Sequence, residues 1–249
     1  LSYGDGYLIR SGATTYPDGM KLHRHDHPWG QLAFCNCGVM RVVSDAAAWL
    51  SPPTRAIWLP AGVAHEIVMK GEVATRFLYI CPELAAPLPP QPEVLEVAPL
   101  LRELILHILK IRMLHPDRPE QDRLARLLID LLTQARRIDL VLPLPADRRA
   151  RALAERLQEA PADPASLAEL ARHAGASLRT LQRLFPAETG LTLEAWRQKA
   201  RLIWSITRLS GGASVAAAAF DCGYDSPSAF ITAFKRQFGV TPGRYTAAA

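Results

Sequence analysis

The chain has 249 residues, with 29 Lys and Arg against 24 Asp and Glu, for a formal net charge of +5. That length suits two modest domains, each able to bury its own core, and the four scattered cysteines Cys35, Cys37, Cys81 and Cys222 are too few for a disulfide framework. No signal peptide or long apolar run is evident, which argues against a secreted or membrane-spanning protein and predicts a soluble, cytosolic one.

The charge is unevenly placed. Residues 1–146 hold 15 basic and 15 acidic side chains, and residues 147–249 hold 14 and 9, so the whole excess lies in the last hundred residues. A basic C-terminal part beside a neutral N-terminal one is what phosphate contact requires of the C-terminal part alone. The chain opens at Leu1 rather than Met, so a few residues upstream are expected.

Residues 1–84 alternate short apolar runs (32–34, 39–43, 56–59, 77–80) with Gly, Pro and Asp turns, the rhythm of an all-β sandwich or barrel. Within this region Gly19, His23, His25, Gln31 and Gly38 stand in order, followed by Pro60, Gly62 and His65. Two histidines one residue apart on an extended strand share a face. If closure brings His65 beside His23 and His25, three imidazoles and the Gln31 oxygen make a set that either holds a divalent transition metal with open positions or lines a polar effector pocket. His27 is expected in solvent, because Pro28 follows it. Cys35 and Cys37 are expected on the face of Gln31 as free thiols, with a redox or soft-metal sensor as the alternative.

A proline-rich run at 85–99 reads as an extended connector. Two helical stripes follow within 85–137: Leu100, Leu104, Ile108 (or His107) and Ile111, then Leu124, Leu127, Leu128, Leu131 and Leu132. One stripe must cover the barrel, and the second leucine set suits either packing within the chain or a homodimer. Residues 138–146, with Pro143 and Pro145, form the linker to a domain at 147–249.

That domain reads as two helix-turn-helix motifs joined by a strut. In the first, Ser166 caps a helix, Gly175 makes the turn and Ser177 caps a second helix that buries Leu178, Leu181, Leu184 and Phe185. Arg179, Gln182 and Arg183 fall at i, i+3 and i+4 on the outward face, with Thr180 near the cap; Arg reads guanine and Gln reads adenine through paired hydrogen bonds. Pro186 is expected to end or kink this helix. The strut, 193–209, carries Trp196, Ala200, Ile203 and Ile206 inward and is about 25 Å long, against about 34 Å for one DNA turn.

In the second motif Ser214 and Ser226 are caps, Gly223 is the turn, and Phe230, Phe234 and Phe238 share one face. Ser228, Ile231, Thr232 and Lys235, with Arg236 nearby, are left to face a partner. Sequence discrimination is expected mainly from the first motif and phosphate anchoring from the second.

Gly223-Tyr224-Asp225-Ser226, Phe230, Ala233-Phe234-Lys235, Gly239, Thr241-Pro242 and Tyr245 resemble the C-terminal signature of the AraC/XylS family of bacterial transcription regulators. Pro186 departs from it, standing where the family usually keeps a basic residue. The histidine segments resemble the two signatures of the cupin barrel over about a quarter of the chain, with Gln31 in place of Glu and Met69 in place of Asn. Together these imply an α+β protein: a cupin-like β-barrel followed by helices, then an all-α DNA-binding domain. They imply a cytoplasmic bacterial regulator that binds double-stranded DNA under control of a small-molecule or metal effector, with a homodimer and RNA polymerase as partners, no membrane and no catalysis. A metal-dependent cupin enzyme with an appended DNA-binding module is the alternative; its nearby acids would be Glu66 and Glu72.

Overall fold

A computed structural model of the protein describes residues 6–247. The chain divides into two compact units, residues 6–44 with 49–141, and residues 45–48 with 142–247.

The first unit begins with eight strands: β1 (Ile9–Tyr16), β2 (Lys21–His25), β3 (Gly30–Cys35), β4 (Val39–Val43), β5 (Ala47–Ser51), β6 (Arg55–Leu59), β7 (His65–Lys70) and β8 (Val73–Ile80). There follow a helical turn α1 (Pro82–Ala85), β9 (Glu93–Glu96), α2 (Pro99–Ile111), β10 (Met113–Leu114), α3 (Pro119–Gln134) and β11 (Val141–Pro143). The strands make two sheets, in the orders β10-β1-β8-β3-β6-β9 and β11-β5-β4-β7-β2.

The class is α+β, but the closed barrel of the sequence reading is corrected. The ladders do not run from one sheet into the other, so β10 and β9 end the first and β11 and β2 end the second. The proline-rich connector also holds an unforeseen strand. β9 pairs antiparallel with β6, Val94 opposite Ile57 and Leu95 opposite Ala56, immediately after Pro92. Four residues are too few to show a period of two.

Burial explains most of the strand sequence. All six residues of β3 are buried, as are all five of β5 and of β6, so these strands are covered on both faces and mostly apolar rather than alternating, with Gln31, Ser51 and Arg55 as their buried polar members. Gly30 opens β3 where no side chain fits: a Cβ there would come within 2.1 Å of the Trp58 ring. Helix α2 buries Leu101, Leu104, Ile105 and Ile108 at i, i+3, i+4 and i+7, and α3 adds Ala125, Leu128, Ile129 and Leu132 to the same core. The expected α2 stripe is therefore one residue out of phase at its start, since Leu100 is 60% exposed. Pro99 takes the first helical position, so Leu101 is the first residue to turn inward.

From residue 148 onward the named elements are all helices: α4 (Arg148–Glu159), α5 (Leu167–His173), α6 (Leu178–Thr189), α7 (Leu193–Ser210), α8 (Val215–Asp221), α9 (Pro227–Phe238) and α10 (Pro242–Ala247). Serine hydroxyls accept from backbone N–H at the N-caps of α5, α6, α8 and α9, through Ser166, Ser177, Ser214 and Ser226. Ser166 and Glu169 form a full capping box. Around α7 the core has two aromatic centres. Phe185 of α6 meets Trp196 edge-on with ring centres 5.4 Å apart, and Phe230, Phe234, Phe238 and Tyr245 form a chain of ring contacts.

Helix α6 runs through Pro186 to Thr189, so the expected break is corrected. The proline lies in the last turn, where only one intrahelical bond is lost, and Gly190 closes the helix in the left-handed conformation with its N–H on the Pro186 oxygen.

Candidate functional site

The two reading helices are held on α7 in comparable ways. On α6, Arg179, Gln182 and Arg183 are exposed while Leu181 and Phe185 are buried. Thr180 is half-buried, its hydroxyl 2.9 Å from that of the cap Ser177. Pro186 is exposed too, at i+7 from Arg179, so it occupies the outward stripe rather than the core. On α9, Ser228, Thr232, Lys235 and Arg236 are exposed, Ile231 is half-buried, and Phe230, Ala233 and Phe234 face inward.

Each reader is tied to the strut by a polar contact. The Gln182 amide donates to Glu194 at 3.3 Å, and Arg236 donates to the Gln198 oxygen at 3.4 Å. Two open pockets share Gln198 and Tyr224, one also lined by Arg201 and the other by Thr232 and Arg236. α7 has 18 residues, hence about 27 Å.

The histidine residues assemble differently from the sequence reading. His25, His27 and His65 bring one ring nitrogen each to within 4.8 Å of one another, and His23 is exposed outside the group. The cause is a β-bulge. Leu22 pairs with Ile67 and His25 with His65, so three steps along β2 match two along β7. The extra residue breaks the parity that would have put His23 and His25 on one face.

His27, expected in solvent, is buried and takes the vacated place. Pro28 lies in the turn before β3, not in a strand, so it does not disturb the ring. The missed signal was available: His25 and His27 have the same one-residue spacing as His23 and His25, and Gln31 follows His27 by four.

Each imidazole is fixed by a backbone carbonyl on Nδ1: His25 on the His23 oxygen at 2.7 Å, His27 on the Trp29 oxygen at 2.5 Å, and His65 on the Val63 oxygen at 2.7 Å. A carbonyl only accepts, so each Nδ1 carries a proton, and in the neutral ring Nε2 keeps the lone pair. The His65 Nε2 is buried without a hydrogen-bond partner, and burial lowers the His65 pKa to about 4, which keeps the ring neutral at physiological pH. An orphaned group of this kind costs about 1–3 kcal/mol.

Gln31, 1% exposed, places Oε1 2.9 Å from the His27 Nε2. Among the described residues no Asp, Glu or Cys joins this group. The donor set fits a divalent transition ion: neutral imidazole nitrogens, an amide oxygen, and carbonyls orienting each ring from behind.

The thiols are corrected as well. β3 ends at Cys35, so Cys37 does not share its face: Cys35 is buried, with burial pushing its pKa up to about 12, while Cys37 is exposed. All four cysteines are free.

Paired helix-turn-helix motifs on one strut, joined in sequence to a β-rich unit with a polar cluster, define a ligand-responsive DNA-binding protein. The chain matches the AraC-like ligand binding domain over residues 10–157 and a helix-turn-helix domain over residues 170–248. It is 36% identical over 223 residues to the HTH-type transcriptional regulator NimR of Escherichia coli K12, covering 90% of this chain and 81% of that one. It is 40% identical over 104 residues to the HTH-type transcriptional regulator RipA of Corynebacterium glutamicum, covering 42% of this chain and 31% of that one. Among solved structures it is similar to unsaturated fatty acid bound ToxT from Vibrio cholerae, with 11% identity, 96% and 95% coverage and a TM-score of 0.40.

The chain belongs to the AraC/XylS family: it is a transcription regulator with an N-terminal ligand-binding domain and a C-terminal DNA-binding domain. No helix among the described residues is long and apolar enough to cross a membrane.

Proposed function

We propose that one subunit reads two successive major-groove segments of an operator through the outward stripes of α6 and α9, and that a small effector in the N-terminal domain changes its affinity for that DNA. The supporting observation is the division of each helix. Arg179, Gln182 and Arg183, and again Ser228, Thr232, Lys235 and Arg236, are exposed, while the opposite faces are buried, Phe185 against Trp196 of α7 and Phe230 and Phe234 among the rings of Tyr224 and Tyr245. A strut of about 27 Å holds two readers near the spacing of about 34 Å set by one DNA turn.

Arg179, Gln182 and Arg183 specify bases. Ser177, Thr180 and Ser226, at helix N-termini, meet phosphate, as do Lys235 and Arg236, while Ile231 and Thr232 offer methyl groups to thymine. An effector must bind one arrangement of the protein better than another to have any effect. The half-buried Leu124 and Leu131 and the exposed Leu127 form a stripe on α3 suited to a homodimer. The regulator works in the bacterial cytoplasm, engages RNA polymerase at the promoter, and acts by binding its effector without turning it over.

The test is a titration of the full-length protein on DNA upstream of its own and neighbouring genes, at two salt concentrations and with candidate effectors. Site-specific binding that an effector shifts, with the effector recovered unchanged, supports the reading. Equal affinity for every sequence would sink it.

A further inference from the structure

The strut α7 carries charge that the reading of bases does not use. Glu194, Gln198 and Arg201 fall at i, i+4 and i+7, on one stripe whose first two members are tied to α6 and α9 through Gln182 and Arg236. That stripe therefore runs between the two readers, and both pockets open along it, with Gln198 and Tyr224 in common. Arg197 joins Arg201 in lining the first pocket, and Arg236 lines the second.

These three guanidiniums have only neutral hydrogen-bond partners. Arg197 donates to the Asp163 carbonyl at 3.0 Å, Arg201 to the Pro161 carbonyl at 2.9 Å, and Arg236 to the Gln198 amide oxygen at 3.4 Å. The Asp163 carboxylate is already committed to Arg156 at 2.9 Å and to the Ala165 N–H at 2.9 Å. Arg197 and Arg201 are half-buried at i and i+4, a like-charge spacing that costs a helix stability. Burial, and then the Arg201 charge, hold the Arg197 pKa below its ordinary value. Two donors are left over: Arg197 Nε and the Tyr224 hydroxyl are buried and make no hydrogen bond, although the Gln198 side chain lies beside the latter. Among the described lining residues the one carboxylate is Glu194, which is exposed and takes the Gln182 amide.

Half-buried cations with neutral partners and unused donors call for an anion. The first pocket, about 260 Å³, is small for a drug-sized molecule and ample for a phosphate group. Position selects the source. On one face of a duplex, two successive major-groove segments are separated by the minor groove and its flanking backbones, so a rod that bridges them meets phosphates along its middle. Arg201 is the ninth of the 18 residues of α7.

We propose that this stripe of the strut seats a backbone phosphate of the DNA between the two reading helices, held by Arg201 and Arg236 with the amide N–H of Gln198, while Arg197 adds charge. The proposal rests on the reading that places the outward stripes of α6 and α9 on DNA. It adds a contact that carries no sequence information and fixes where the strut sits between the two grooves.

The full-length protein is titrated, over a series of salt concentrations, on the DNA upstream of its own gene and on a duplex of arbitrary sequence. Arg201→Ala is expected to weaken both about tenfold and to lower the slope of log affinity against log salt by about 0.9. Gln198→Glu, which keeps the side-chain size and puts a carboxylate in the phosphate's place, is expected to weaken both as well. Circular dichroism checks folding; should Arg201→Ala not fold, Gln198→Glu carries the test. Unchanged affinity and slope in folded Gln198→Glu overturns the site, and so does a loss confined to the upstream DNA, which marks a disturbed reading helix instead. Should the wild type bind both duplexes equally, the operator reading fails while the slopes still decide the phosphate contact. Inorganic phosphate alone, at constant ionic strength, tests the source of the anion. If it raises the Tm of the wild type and not of Gln198→Glu, while both bind DNA alike, the pocket belongs to free phosphate and the backbone assignment is overturned.

Discussion

The two helix-turn-helix motifs use one frame for different surfaces. α6 is anchored by a large buried aromatic, Phe185, against Trp196, and turns three bidentate-capable side chains outward. α9 is anchored by a run of phenylalanines and turns out hydroxyls and two cations. The anchors are comparable, so the proposed division of labour, base discrimination at α6 and backbone grip at α9, rests on the difference in the exposed stripes.

The largest effect should come from breaking an anchor. Phe234→Ala removes a fully buried ring from the centre of the aromatic chain and is expected to destabilise the C-terminal domain by about 3–5 kcal/mol, measured by denaturant unfolding. Phe185→Ala should cost a similar amount; a loss below about 1 kcal/mol at either would show that the two frames are not equivalent. Next, Arg183→Ala should cost about 1–3 kcal/mol on a specific operator and relax base preference at one position, with non-specific affinity nearly unchanged, as read by competition binding.

Cap removal is smaller and should be even-handed. Ser177→Ala and Ser226→Ala each delete a hydroxyl that accepts from a backbone N–H, and about 1 kcal/mol of stability is expected from either. Smallest is Lys235→Ala, which should weaken all sequences alike and lower the slope of log affinity against log salt by about 0.9. A base-selective loss there would reassign α9 from gripping to reading.

The helical domain was nearly transparent in its sequence because its punctuation is local. Ser177 and Ser226 cap within three residues, Gly190 and Gly239 close their helices at positive φ, and the spacing of Leu181 and Phe185 sets the outward face of Arg183 without reference to anything distant. Pro186 was misjudged because its cost depends on how close the helix end lies, which the residue alone does not reveal. The histidine cluster was half legible: His25, Gln31 and His65 are there, His23 is not, and His27 is. Parity along a strand holds only without a bulge, and the bulge at β2 is defined by pairing with β7 some forty residues on. The division into two separate sheets and the short β9 were hidden for the same reason, since both depend on partners remote in sequence.

The carbonyl grip on the three imidazoles has a consequence for sensitivity. Rotamer freedom that a ligand would otherwise have to remove is already surrendered when β2, β3 and β7 assemble, so the entropic toll falls on folding rather than on capture. Loosening those strands far from the rings is therefore expected to disorder the imidazole cluster before it unfolds the protein.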